Sequence, residues 1–148
     1  MQTIAVLRGG GGDEHDVSVK TGTTVLTHLS ERYNTIDIFI DRAGVWHVRG
    51  VPKKPEQVLS SVDVVFNALH GAYGEDGQVQ KILTAHNMPY TGSEALASAL
   101  AMNKVYAKEY AKKIGLKTGA HIVVRVSEDL DRQTLDIFRN FPQPSVGK

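Results

Sequence analysis

Short apolar runs and helical patterns alternate along most of the chain. Two apolar runs predict buried strands, "TIAVLRGG" and "VDVVFNAL" (62–69), and "TIDIFID" (35–41) predicts a further strand between them. Apolar residues at helical spacing predict an amphipathic helix from Val17 to Tyr33 and a second helix after "GEDG", with Val79, Ile82, Leu83 and His86 on one face. "GVWHVRG" (44–50) predicts a short hairpin arm, and "MPYTG" predicts a short strand and a turn.

This β-α-β-β-α-β order predicts an α/β fold with a doubly wound parallel sheet. Ligands of such sheets bind at the carboxyl ends of the strands. Two glycine-rich stretches, "RGGGGDEHDVS" and "LHGAYGEDG", follow the first and third main strands. We therefore expect the two loops to converge on one crevice.

The pattern of apolar and polar residues changes near residues 93–103. This change predicts a domain boundary and a division into 1–95 and 96–148. Beyond it we expect a helix over about 103–114, stopped by Gly115, and a strand in "TGAHIVVRV". A helix capped by Ser127 and a last short strand, "PSVGK", complete the predicted elements. This second β-α-β unit stops in mid-element, and so we expect it to be incomplete.

Composition excludes several classes of function. The 148 residues carry a net charge of +1 with no long run of either sign, so neither nucleic acid nor an anionic membrane is an expected partner. The absence of cysteine excludes disulfides and thiolate metal sites. No signal peptide and no apolar run long enough for a membrane span is evident, and we expect a cytoplasmic protein.

The first glycine-rich loop has the chemistry of a ligand-binding loop but not a nucleotide motif. Gly9 to Gly12 follow a strand and precede a helix, yet neither G-x-G-x-x-G nor a Walker loop is present. Asp13, Glu14 and Asp16 beside the loop favour a cationic group such as an amine. The alternative is that Asp16 or Ser18 only caps the helix.

The second loop holds His70, Glu75 and Asp76, whose spacing matches no usual zinc site, so we predict no metal site here. Either carboxylate can cap the helix that follows. His70 ends a strand and precedes glycine, which favours a place beside a ligand over a place in the core. Lys104, near the start of a predicted helix, would on its own be a surface residue.

Three segments together resemble the N-terminal part of D-alanine–D-alanine ligases, which belong to the ATP-grasp superfamily: "LRGGGGDEHDVSVKTG", "ALHGAYGEDGQVQKIL" and "MPYTGSEALASALAMNK". The resemblance implies a pre-ATP-grasp, Rossmann-like domain followed by the start of an α+β ATP-grasp domain. It also implies a reaction in which ATP phosphorylates one D-alanine to an acylphosphate. The amine of a second D-alanine attacks this acylphosphate, giving a dipeptide for peptidoglycan.

The resemblance also assigns roles to individual residues. Asp16 stands where these ligases usually carry a Glu that holds the ammonium of the first D-alanine, with Ser18 in the usual V-S context, and His70 matches a histidine near that substrate's carboxylate. Lys104 and Lys148 match lysines that reach ATP phosphate. The loop that shapes the subsite matches Gly71, Gly74, Glu75, Asp76 and Gly77.

The same resemblance implies ATP and Mg²⁺ (or Mn²⁺) as cofactors of the full-length enzyme and a homodimer formed through the N-terminal region. The phosphate lid, the adenine pocket and the metal ligands of these ligases are absent from this sequence, and so we expect the chain alone to be inactive. Two alternatives stay open. One is a non-catalytic module that binds a small zwitterion or docks to a partner, and the other is a ligase that uses D-lactate or D-serine as second substrate.

Overall fold

A computed structural model describes residues 1–124 and 130–140 of the chain. The chain forms two compact units, Met1–Ala107 and Lys108–Lys148. The five strands are β1 (Thr3–Gly9), β2 (Asn34–Ile40), β3 (Trp46–Val48), β4 (Val51–Lys53) and β5 (Val64–Asn67). The helices in the described residues are α1 (His15–Leu29), α2 (Pro55–Leu59), α3 (Gln78–Ala85), α4 (Ala95–Met102), α5 (Lys104–Lys113) and α6 (Leu130–Asn140).

The sheet has the order β4-β3-β2-β1-β5, with β1 in parallel pairing with both β2 and β5. The middle residues of β1, from Ile4 to Leu7, are all buried, as the continuous apolar run predicts for a strand covered on both faces. The expected α/β fold with parallel strands and helical crossovers is confirmed. Tyr90, in the predicted "MPYTG" strand, forms only an isolated parallel bridge to Val65.

The predicted hairpin arm is confirmed and extends to Lys53. β3 and β4 pair antiparallel through a two-residue turn, Arg49 and Gly50, whose φ angles are 53° and 77°. Positive φ at both turn positions matches the twist of a tight hairpin. Trp46 begins the arm and is only 2% exposed, whereas all three residues of β4 are exposed.

The core of the first unit lies on the sheet. Its fully buried side chains include Leu7, Ile38, Ile40, Val65, Val79 and Leu83. Helix α1 approaches β1 so closely at Gly22 that a Cβ atom there would lie 2.5 Å from the Cβ atom of Arg8. The guanidinium of Arg8 forms a bidentate ion pair with the carboxylate of Asp37, with both N–O distances 2.7 Å.

The second unit differs from the sequence expectation. Residues 118–124, the described part of the predicted strand "TGAHIVVRV", form no regular secondary structure. A strand requires a partner for its backbone hydrogen bonds, and no described strand pairs with this segment. The predicted cap Ser127 and the predicted strand "PSVGK" lie outside the described residues. No helix in the described part of the chain is long and apolar enough to cross a membrane.

Candidate functional site

The two glycine-rich loops start from neighbouring strands at the same edge of the sheet. β1 ends at Gly9 and β5 ends at Asn67, and the two strands are parallel and paired. Ser18 links the loops: its hydroxyl accepts a hydrogen bond from Gly9 N at 2.8 Å and donates to Ala68 O at 2.9 Å. The Ser18 side chain is fully buried, so both bonds are shielded from water.

The first loop turns sharply after β1. Gly9 and Gly10 have φ angles of 97° and 94°, and a side chain at Gly9 would overlap the carbonyl of Ile40. Gly10 N donates to Ile40 O at 2.8 Å, and Nδ1 of His15 lies 2.6 Å from Gly10 O. His15 is buried and contacts the ring of Phe39 edge-on. This histidine therefore holds the first loop from the protein interior and does not face the solvent.

Asp16 lies in the first turn of α1 with its side chain 82% exposed. Its carboxylate is 3.5 Å from Nη2 of Arg42, whose side chain is 61% exposed. An exposed ion pair at this distance is weak, contributing about 0–1 kcal/mol. The carboxylate of Asp16 is therefore available to an incoming cation at little cost.

His70 lies near the start of the second loop and contacts α1. Its Nε2 is 2.9 Å from the hydroxyl of Thr21, and that hydroxyl donates to Val17 O at 3.1 Å. The single hydroxyl proton can serve only one of these contacts, so when Thr21 donates to Val17 O, Nε2 of His70 is the donor to Thr21. In the neutral ring, Nδ1 of His70 then carries no proton. It lies 3.8 Å from the carboxylate of Glu75, which forms an ion pair with it when the ring is protonated.

The second loop is closed by reciprocal bonds between Gly71 and Glu75. Gly71 N donates to the Glu75 carboxylate at 3.0 Å, and Glu75 N donates to Gly71 O at 2.9 Å. Gly71 has a φ of 67°, and a Cβ atom there would lie 2.6 Å from the Glu14 carboxylate of the first loop. The two loops thus come together at Gly71.

Asp76 organises the start of α3. Its carboxylate accepts bonds from Tyr73 N at 2.9 Å, Gln78 N at 3.0 Å and Gln78 Nε2 at 2.7 Å. Burial acts to raise the pKa of Asp76, but these hydrogen bonds outweigh it and the pKa is lowered. Gly77 follows with a φ of 93°, and a Cβ atom there would lie 2.5 Å from Ala95 O.

Gly74 lines a cavity of about 420 Å³. Its carbonyl accepts bonds from Asn67 Nδ2 at 2.9 Å and from Gln80 Nε2 at 2.7 Å. Lys104, at the start of α5, also lines this cavity, and its ammonium makes no hydrogen bond or ion pair with the described residues. Thus Glu75 and Lys104 place one negative and one positive group on the wall of the same cavity.

The described residues contain no group of three His, Cys, Asp or Glu side chains that could hold a metal ion. Lys148 lies outside the residues that the structure describes. The other predicted site residues are all described, and those from Asp16 to Gly77 lie in the two loops.

Comparison with known proteins decides the family. The family model "D-ala D-ala ligase N-terminus" matches residues 3–57 and 49–93. The chain belongs to this D-ala D-ala ligase family. The matched residues contain both glycine-rich loops, and Lys104 and Lys148 lie beyond them.

Curated members of the family are more than twice as long as the part that this chain matches. The D-alanine–D-alanine ligase of Solibacter usitatus is 37% identical over an alignment that covers 98% of this chain and 44% of that protein. The D-alanine–D-alanine ligase of Hydrogenovibrio crunogenus is 42% identical, with 90% of this chain and 40% of that protein covered. The chain therefore spans less than half the length of these ligases.

Solved ligases of the family share the fold. The D-alanine–D-alanine ligase of Aeromonas hydrophila superposes with a TM-score of 0.76 and 25% identity, covering 90% of this chain and 54% of that chain. The enzyme of Helicobacter pylori gives a TM-score of 0.79 at 23% identity, covering 96% of this chain and 53% of that chain. The second match supports the fold alone.

Several residues of the site were not singled out from the sequence. Thr21 orients His70, Arg42 pairs with Asp16, and Asn67 and Gln80 hold Gly74. Asn67 carries a signal that could have been used, because a polar residue at the end of an apolar strand lies at the ligand edge of such a sheet. Thr21 carries none, since a threonine in a helix has many ordinary roles.

Proposed function

We propose that this chain is the N-terminal, D-alanine-binding part of a D-alanine–D-alanine ligase. The observation that carries the proposal is the meeting of the two glycine-rich loops at Glu14 and Gly71, next to the pair of His70 and Glu75. The exposed carboxylate of Asp16 on the first loop suits the ammonium group of a small amino acid, and the imidazole of His70 on the second loop suits its carboxylate. The family supports D-alanine as that amino acid.

Each side chain has a separate role in this proposal. Asp16 holds the ammonium of the first D-alanine, and His70 lies at its carboxylate, with Thr21 fixing the ring. Ser18, fully buried between main-chain partners, holds the two loops together. Gly71, Gly74 and Gly77 let the backbone bend where a side chain would meet its neighbours. Asp76 and Glu75 hold the second loop closed around the ligand.

The cofactors belong to the whole enzyme. Lys104, without a carboxylate partner in the described residues, fits a phosphate group of ATP, and Lys148 is the proposed second phosphate lysine. ATP supplies the phosphoryl group that activates the carboxylate of the first D-alanine, and the dipeptide serves peptidoglycan synthesis. Among the described residues, no group of three His, Cys, Asp or Glu side chains could hold Mg²⁺. We propose that the complete enzyme is a cytoplasmic homodimer and that this chain alone does not ligate.

The test is a titration of the ¹⁵N-labelled chain with D-alanine, followed on the amide resonances of the two loops. We expect shifts at Gly10, Gly12, His70 and Gly71, and weaker shifts with L-alanine. Asp16→Ala should weaken binding about ten-fold or more, because a charge-assisted hydrogen bond is lost. Asp13→Ala removes an equal charge from an exposed position in the same loop and serves as the matched control.

Absence of shifts at saturating D-alanine, or an equal loss in the Asp13→Ala control, would contradict the binding proposal. The inactivity of the chain is tested separately, by assaying ADP release with ATP, Mg²⁺ and D-alanine. Release that depends on D-alanine would show that the chain is itself an enzyme. Binding of D-alanine without any binding of ATP would favour the non-catalytic binding module.

A further inference from the structure

The hairpin arm contacts the second glycine-rich loop through one hydrogen bond between aromatic side chains. Nε1 of Trp46, in β3, donates to the hydroxyl of Tyr73 at 2.9 Å. Trp46 is 2% exposed and belongs to the core, and Tyr73 packs against that core from the loop. The bond therefore joins the rigid sheet to the loop that carries the candidate site.

Tyr73 is held on its main chain as well as on its side chain. Its N–H donates to Asp76 at 2.9 Å, and its carbonyl accepts from Val79 N at 3.2 Å, at the start of α3. Its φ angle of 72° is rare for a bulky residue and costs about 1 kcal/mol or more. Such a conformation persists only where the surroundings fix it, and the bond from Trp46 is one of the contacts that do so.

Tyr73 stands midway between the two residues that close the loop. Gly71 precedes it by two positions and Glu75 follows it by two, and these residues exchange the reciprocal bonds that set the loop's shape. Glu75 in turn lies 3.8 Å from His70. Tyr73 therefore lies inside the loop segment whose closure holds Glu75 near His70.

We propose that Trp46 and Tyr73 are positioning residues for the candidate amino-acid site, and that their hydrogen bond sets the affinity of the loop for its ligand. The proposal rests on D-alanine as the ligand under the proposed function. It adds the hairpin arm, which contributes no residue to the ligand itself, to the elements that determine binding. Burial raises the pKa of Tyr73, so its phenol stays neutral and can accept the Trp46 bond throughout the neutral range.

The chain contains one tryptophan, and so its indole N–H gives a single, assignable resonance. The experiment compares the wild type with Tyr73→Phe, Trp46→Phe and the double variant, in the full 148-residue chain. Tyr90→Phe is the matched control, since Tyr90 is also partly buried against the core but lies outside both loops. Dissociation constants for D-alanine are taken from loop amide shifts, and the indole resonance is followed in parallel.

We expect Tyr73→Phe to shift the indole resonance upfield and to weaken D-alanine binding about five-fold, the effect of one hydrogen bond. Trp46→Phe should weaken binding by a similar factor, and the double variant should bind no more weakly than either single variant, because all three lack the same bond. Tyr90→Phe should bind like the wild type. If Trp46→Phe does not fold, the Tyr73→Phe comparison decides alone.

Wild-type affinity in Tyr73→Phe, or multiplicative losses in the double variant, would overturn the proposal. Absence of D-alanine binding to the wild type overturns the proposed function instead. The spectra of the unliganded variants then show whether the Trp46–Tyr73 bond positions the loop. Changes at His70, Gly71 and Glu75 in Tyr73→Phe, absent from Tyr90→Phe, would support it. Changes confined to residues 46 and 73 would refute it.

Discussion

Ser18 and Ala68 are joined by a buried hydrogen bond of 2.9 Å across 50 residues of sequence. The same hydroxyl accepts the N–H of Gly9, so a single oxygen connects the end of β1 to the segment that follows β5. Two loops on separate strands can form a common site only if their starting points are fixed relative to each other. Ser18 supplies this connection from the first turns of α1.

Replacing Ser18 by Ala should lower the free energy of unfolding by about 2–4 kcal/mol, because two buried main-chain groups lose their partner. Urea denaturation followed by circular dichroism measures the change. Ser30→Ala is the control: Ser30 lies at the end of α1, its hydroxyl bonds only Thr27 O among the described residues, and the substitution should change stability by less than about 0.5 kcal/mol. Equal effects of the two substitutions would contradict the role given to Ser18.

Gly77→Ala should destabilise the chain by about 2 kcal/mol or more. Alanine must adopt a φ of 93° there, and its methyl group would lie 2.5 Å from Ala95 O. Gly44→Ala provides the comparison, since Gly44 has a φ of 84° and a methyl group there would have nothing within 4 Å. That variant should show only the conformational cost, about 1 kcal/mol. Thermal unfolding of the two variants, side by side, separates the steric term from the conformational one.

Asp76→Asn should reduce stability at neutral pH by about 1–2 kcal/mol, because both carboxylate oxygens accept bonds from Tyr73 or Gln78 and the amide of Asn offers only one, uncharged, acceptor oxygen. The pKa of Asp76 is lower in the folded chain than its ordinary value of 3.8. The unfolded chain therefore binds the proton first, so the stabilisation is complete above pH 3.8 and is lost as the pH falls through the folded pKa.

Urea midpoints of wild type and Asp76→Asn, measured from neutral pH downward, should accordingly converge below about pH 3.8. Asp13→Asn changes the net charge equally at an exposed position without a hydrogen bond among the described residues. Its difference from the wild type should stay small throughout. A difference for Asp76→Asn that persisted unchanged in acid would refute the assignment.

The strands and long helices of the first unit could be predicted from the spacing of apolar residues. Burial on one or both faces of an element requires apolar residues at regular positions along it. Helix α4, with the sequence "ALASALAM", has no such regular spacing, since apolar residues occur around its whole circumference. The short helix α2 is set by local chemistry instead: Pro55 stands at its start, and the Gln57 side chain accepts the N–H of Lys54. In residues 118–124 the apolar pattern predicts a strand and is wrong, because pattern alone does not provide a pairing partner.

The candidate site, too, could be predicted only in part from the sequence. Its loops could be located from glycine, histidine and carboxylate residues at strand ends. The contacts that fix the loops could not, because Ser18 and Ala68, or Trp46 and Tyr73, meet only after the sheet has formed. A serine or tryptophan in isolation has many ordinary roles, and only tertiary geometry selects one of them.

The exposed strand β4 forms one edge of the sheet. An unpaired edge strand is a template on which another chain can add, and chains with long apolar edges aggregate by that route. β4 has only three residues, Pro52 brings no N–H to the edge, and Lys53 and Lys54 add positive charge beside it. The hairpin arm thus ends the sheet with a strand that resists fibril growth.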